Sequence, residues 1–150
     1  MAVDIQHINL EHPHRRLLQH AARVLEGGGL IVYPTDTIYG LGADLFNKGA
    51  MERIFKLKQA SAHKPLSFIC PDLAAVADWA YLPTSSYRIL RRVTPGKYTF
   101  VLRASKQVPK ILLQKRPTVG VRIPDSAVAL GLASALGRPL LSTSVPQGAD

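Results

Sequence analysis

Three observations predict an α/β domain built on a largely parallel or mixed sheet. Short apolar runs alternate along the chain with longer segments whose apolar residues recur at helical spacing. Glycine, proline and capping residues punctuate the boundaries between them. The 150 residues, 47% of them hydrophobic, suit one domain able to bury a substantial core.

The elements follow in order. Pro13 can open a helix in which Leu17, Leu18, Ala21, Ala22 and Leu25 form an apolar stripe. Gly27, Gly28 and Gly29 stop it, because glycine enters the left-handed region without steric cost. Leu30 to Tyr33 reads as a buried strand halted by Pro34, and Leu41 to Phe46 as a second strand. "GAMERIFKLKQ" is a helix with Met51, Ile54, Phe55 and Leu57 inward. Leu66 to Cys70 is a strand. Asp72 caps a short helix to Trp79, and Thr84 caps another to about Val93. "YTFVLRA" is a strand, Pro109 to Gln114 a helical turn, and "TVGVRIP" a strand ending near Arg122. Asp125 caps a helix to Leu136 that Gly137 stops, and "PLLSTS" is the closing strand. That makes six strands and six helices with no internal repeat. The last strand runs straight into "VPQGAD", so we expect a further C-terminal element beyond Asp150.

Composition narrows the function. The apolar stretches are too short to cross a bilayer, and no basic patch precedes a continuous apolar region at the N-terminus. Cys70, the only cysteine, sits in "LSFIC", where a reduced, buried thiol is expected and neither a disulfide nor a cysteine metal site can form. A soluble, cytoplasmic protein with no membrane partner is the expectation. The net charge of +9 is concentrated: Lys48 to Arg122 holds fifteen Lys or Arg against three acids. An excess of twelve positive charges over half a small domain favours an anionic partner, nucleotide or nucleic acid.

Polar residues gather where strands end. "PTDTIYG" follows one strand, Arg122 closes another, and Ser142, Thr143 and Ser144 lie at or beyond the end of the last. Open α/β sheets bind ligands outside the carboxyl ends of their strands. Hydroxyls with Lys58, Lys64 and Arg122 as neighbours suit a polar, anionic small molecule. Neither a Walker A sequence nor G-x-G-x-x-G is present. His7, His12, His14 and His20 have no metal-ligand spacing, and His63, in the loop before Lys64, reads equally as a substrate contact or as loop filler. Trp79, Tyr81 and Tyr87 interleave with Arg88, Arg91 and Arg92; core aromatics beside an exposed basic helix face account for that pattern better than an RNA-stacking patch.

Five segments in register, "YPTDTIYGLG", "IFKLKQASAHKPLSFIC", "TPGKYTFVL", "TVGVRIPDS" and "PLLSTSVP", resemble the YrdC-like family of threonylcarbamoyl-AMP synthases from about Gly28 to Pro146. The resemblance implies a single YrdC-like domain: a twisted mixed sheet flanked by helices, with a basic concave face. It implies synthesis of L-threonylcarbamoyladenylate from L-threonine, bicarbonate and ATP with release of pyrophosphate. Partner proteins then transfer the threonylcarbamoyl group to an adenosine of tRNA. By the same resemblance, Thr35, Arg122 and Ser144 bind L-threonine, and Lys58, Thr99, Thr118 and Ser142 bind ATP. Lys58 and Lys64 are the catalytic cations, and magnesium arrives with ATP rather than on protein ligands.

Two positions depart from the family pattern. Ala60 stands where the family has an arginine, and Pro146 where it has the asparagine of Ser-x-Asn. Ala60 offers a phosphate no charge-assisted hydrogen bond. These departures, with "AMERI", "TPGKYTF" and "LLSTS", are most similar to the YciO branch and imply weak or redirected activity. The competing expectation is a non-catalytic protein that binds double-stranded RNA or the ribosome. The enzyme reading requires Thr35, Lys58, Arg122 and Ser144 to converge on one hollow.

Overall fold

Six strands pair in the order β1-β2-β6-β3-β5-β4, in a computed structural model that describes residues 3–59, 66–113 and 117–145, without the side chains of Lys58 and Gln59. They are β1 (Ile31–Tyr33), β2 (Gly40–Asp44), β3 (Ser67–Ile69), β4 (Phe100–Arg103), β5 (Thr118–Arg122) and β6 (Leu140–Ser144). The sheet is mixed, but only β3 and β5 pair in parallel. The helices are α1 (Arg15–Glu26), α2 (Lys48–Gln59), α3 (Leu73–Trp79), α4 (Thr84–Val93), α5 (Lys110–Leu113) and α6 (Ala127–Leu136).

Local chemistry sets most boundaries. Asp72 caps α3 by accepting the Ala75 N–H at 2.8 Å, and Gly137 closes α6 with a left-handed φ of 78°. After α1 the left-handed residue is Gly28, φ 92°. His14 caps α1 through Nδ1, which accepts the Arg16 N–H at 3.1 Å, and His20 pairs with Asp4 at 3.1 Å. Two capping expectations are corrected. Thr84 is the first residue of α4, whose N-cap Pro83 makes no side-chain bond. The cap of α6 is Ser126, one residue past Asp125, and its hydroxyl accepts the Ala129 N–H at 3.2 Å.

Each face of the sheet has its own core. Leu41, Ala43, Phe68, Val119, Val121 and Leu141 point to one side, where Ile54 of α2, Val76 and Trp79 of α3 and Leu90 of α4 cover them. Tyr33, Ile69 and Leu140 point to the other, under Leu25 of α1 and Val128, Leu132 and Leu136 of α6. Free Cys70 is fully buried, which pushes its thiol up to about 12. Leu57 is 47% exposed rather than inward. Val32 is 60% exposed, because β1 is an edge strand and not the buried one its apolar letters predict. Trp79 is core, as expected, but Tyr81 and Tyr87 are exposed.

Candidate functional site

The face that α1 and α6 cover is covered only in part. Side chains alternate across a strand, so Thr118, Gly120 and Arg122 of β5 share one face, as do Ser142 and Ser144 of β6. The register sets Gly42, Ser142, Ser67 and Gly120 side by side across four strands. A row of such small residues leaves no bulk above the sheet. The result is a cavity of about 1150 Å³ lined by Thr35, Thr99, Thr118, Arg122, Ser142 and Ser144, among others. Leu66, Leu112, Leu113 and Phe55 supply an apolar wall.

Six of the residues expected at the site therefore meet around one hollow. Lys58 lies in the last turn of α2 with its side chain outside the described residues. Lys64, Ala60, His63 and Pro146 fall outside them altogether. Arg122 is the one cationic side chain lining the cavity among the described residues. The location differs from expectation in one respect. Because β5 runs parallel to β3 and β6 antiparallel to it, the carboxyl ends of β5 and β6 lie at opposite ends of the sheet. What unites Arg122 with Ser144 is a shared face, not a shared edge.

The "PTDTIYG" segment joins the antiparallel neighbours β1 and β2 and is stapled at every turn. Thr35 donates its hydroxyl to the Ile38 carbonyl at 2.5 Å and accepts the Thr37 N–H at 3.1 Å. The Ser126 hydroxyl donates to the Pro34 carbonyl at 3.1 Å, and the Val145 N–H to that of Tyr39 at 3.0 Å. Asp36 does most. Its carboxylate accepts the Arg122 guanidinium and the Asp125 N–H, the latter at 2.9 Å. Arg122 also donates Nε to the Gly96 carbonyl at 3.4 Å. Only 13% of the Arg122 side chain is exposed, so the pair is largely desolvated and holds the guanidinium at the cavity wall.

Sequence reasoning assigned no role to Asp36 and missed Tyr33 and Ser67. Tyr33 lines the cavity floor, where its hydroxyl lies 2.5 Å from Ser142 Oγ. Burial pushes its phenol up to about 12, against the opposing effects of the Ser142 hydrogen bond and the Arg122 charge. Alternation in "TVGVR" and "LLSTS" puts Thr118, Gly120, Arg122, Ser142 and Ser144 on one face, but it gives no signal for Asp36, Tyr33 or Ser67, which lie in other segments.

Known proteins resemble this arrangement. The Sua5/YciO/YrdC family model, described as telomere recombination, matches residues 23–148. YciO of Escherichia coli strain K12 is 40% identical over 140 residues, 93% of this chain and 68% of that one. The crystal structure of E. coli YciO is similar with a TM-score of 0.87 at 38% identity, over 95% of this chain and 70% of that one. Threonylcarbamoyl-AMP synthase of Vibrio vulnificus strain YJ016 is 36% identical over 130 residues, 85% of this chain and 70% of the synthase. P. abyssi Sua5 in complex with L-threonine gives a TM-score of 0.80 at 32% identity, over 90% of this chain and 40% of that one. The chain belongs to the Sua5/YciO/YrdC family, to which threonylcarbamoyl-AMP synthases also belong.

Proposed function

We propose that the sheet-face cavity binds L-threonine beside ATP and forms L-threonylcarbamoyladenylate for threonylcarbamoyladenosine modification of tRNA. The observation that carries this reading is the meeting of Thr35, Thr99, Thr118, Arg122, Ser142 and Ser144 around one hollow. Relatives supply the chemistry: one is named threonylcarbamoyl-AMP synthase, and another was solved with L-threonine. A cavity of about 1150 Å³ exceeds the roughly 300–1,000 Å³ of a single small-molecule pocket, which leaves room for an amino acid and a nucleotide together.

The roles follow from the bonds each group has left. Arg122, held at the wall by Asp36, offers the remaining edge of its guanidinium to the threonine carboxylate. Thr35 has spent its proton on the Ile38 carbonyl, so toward the ligand it can only accept, as an ammonium or hydroxyl requires. Ser144 completes the threonine end, and Thr99, Thr118 and Ser142 face the nucleotide. The amine and bicarbonate condense to a carbamate with loss of water. The carbamate oxygen then attacks the α-phosphate in line, and pyrophosphate leaves with the magnesium that came with ATP. Such a step needs positioning and charge neutralisation rather than a resident base, and Lys58 and Lys64 are the cations proposed to supply the latter. Partner proteins would carry the threonylcarbamoyl group onward to tRNA in the cytoplasm.

Threonine- and bicarbonate-dependent release of pyrophosphate from ATP tests the reaction. Calorimetry tests the site: Arg122→Ala should lose threonine binding, at least tenfold, while its circular dichroism stays native. Threonine binding as tight as the parent's overturns the assignment. A second reading, a protein that binds duplex RNA without turnover, is favoured by the exposure of Tyr87 on α4 alongside the exposed Arg88, Arg91 and Arg92.

A further inference from the structure

One hydrogen bond on the cavity floor has a direction, and the direction has a consequence for what binds there. The Tyr33 ring lies against Gly40, its register partner on β2, where a Cβ would come within 2.8 Å of Cζ and 2.9 Å of the hydroxyl oxygen. The missing side chain lets the phenol cross β2 and reach Ser142 Oγ on β6 at 2.5 Å. Distance alone leaves either oxygen as the donor. Acidity decides between them, since a phenol is the stronger acid and an aliphatic hydroxyl the better acceptor. Tyr33 is 2% exposed, and among the described residues Ser142 is the partner of its hydroxyl. Ser142 is 4% exposed and both residues line the cavity, so burial does not separate them. Ser142 lines the cavity, where its own proton can meet ligand or water.

We propose that Tyr33 is a positioning residue: by donating to Ser142 Oγ it turns the Ser142 hydroxyl proton into the cavity, so that Ser142 recognises an anionic oxygen and not an ammonium. The inference rests on the function proposed above and specifies the polarity of one of its contacts. Burial keeps the phenol protonated through the neutral range, so the donor persists at working pH. A chain of hydroxyls aligned in one direction also strengthens its last donor. On the function proposed above the anionic oxygen is a phosphate of ATP, and a carboxylate, the other source of the same chemistry, is separable by experiment.

Calorimetry with L-threonine and with ATP, each alone, on the parent, Tyr33→Phe, Ser142→Ala and the double variant makes the test. Phenylalanine keeps the ring against Gly40 and removes only the donor. Tyr33→Phe should weaken one of the two ligands about three- to tenfold, the scale of one hydrogen bond, and the ligand affected identifies carboxylate or phosphate. The double variant should bind no worse than Ser142→Ala, because Tyr33 acts through Ser142. In protein labelled at tyrosine Cζ with carbon-13, the Tyr33 resonance should move on saturation in the parent and stay still in Ser142→Ala. Unchanged affinity of Tyr33→Phe for both ligands, or losses that simply add in the double variant, would overturn this inference alone. A parent that binds neither ligand overturns the function reading and takes this inference with it.

Discussion

Asp44 closes β2 with 2% of its surface exposed and a two-pronged ion pair to Arg138, Nε to Oδ1 at 2.8 Å and Nη2 to Oδ2 at 2.6 Å. Burial pushes this carboxyl up, but hydrogen bonds from Arg138 and from the Phe46 N–H, with the arginine charge, outweigh it and hold the group below its ordinary value. A lowered folded-state value means that the pair's stabilisation is present above about pH 4 and is lost as pH falls through the folded value. Arg138→Met leaves the burial without the guanidinium, so the carboxyl rises and the sign reverses: stability fades as pH climbs through the carboxylate range. Urea unfolding should find this variant about 3 kcal/mol less stable than the parent at pH 7, with the gap narrowing toward pH 3. A gap independent of pH would show that Arg138 acts only through its packing on the Phe46 ring, 5.4 Å from the guanidinium carbon.

Among the elements, the start of α6 decides how the "PTDTIYG" loop sits. Ser126 both caps the helix and donates to Pro34, whereas Asp125 contributes its backbone N–H to Asp36 and leaves its own side chain exposed. Ser126→Ala should therefore cost about 1 kcal/mol in thermal or urea unfolding and loosen threonine binding, and Asp125→Ala should stay within about 0.5 kcal/mol of the parent. The opposite ranking would restore Asp125 as the cap. The element list was legible from sequence because local rules govern it: helical spacing in α1, glycine at the end of α6, and Pro34 at the end of β1. Which strands sit at the edge was not legible, since "LIVY" reads the same beside one neighbour as between two. The site followed the same division. Thr35, Arg122 and Ser144 stand out as polar residues at strand ends. Tyr33 was hidden in an apolar run, and its role depends on Gly40, a partner that only the register reveals.

Across the whole molecule, charge is the property with the longest reach. The excess of twelve positive charges between Lys48 and Arg122 includes Arg88, Arg91 and Arg92 of α4, all exposed beside Tyr87. If that face binds duplex RNA through about four phosphates, affinity should fall roughly hundredfold between about 50 and 200 mM salt. Replacing the three arginines with alanine should flatten the salt slope by about 3 and leave threonine calorimetry unchanged. A salt-independent or undetectable interaction would remove RNA from the account of this surface. Chain order matters at the same scale. Ser142 and Ser144 ride on β6, which is the last strand in sequence among the described residues and enters between β2 and β3 rather than at a margin. Until β6 emerges from the ribosome, the β1-β2 hairpin and the β3-β5-β4 group share no pairing, and each shows a bare edge to any passing strand. A nascent chain without β6 has neither Ser142 nor Ser144 to line the cavity, and a ligand that recognises only the finished sheet would act as a folding aid by mass action.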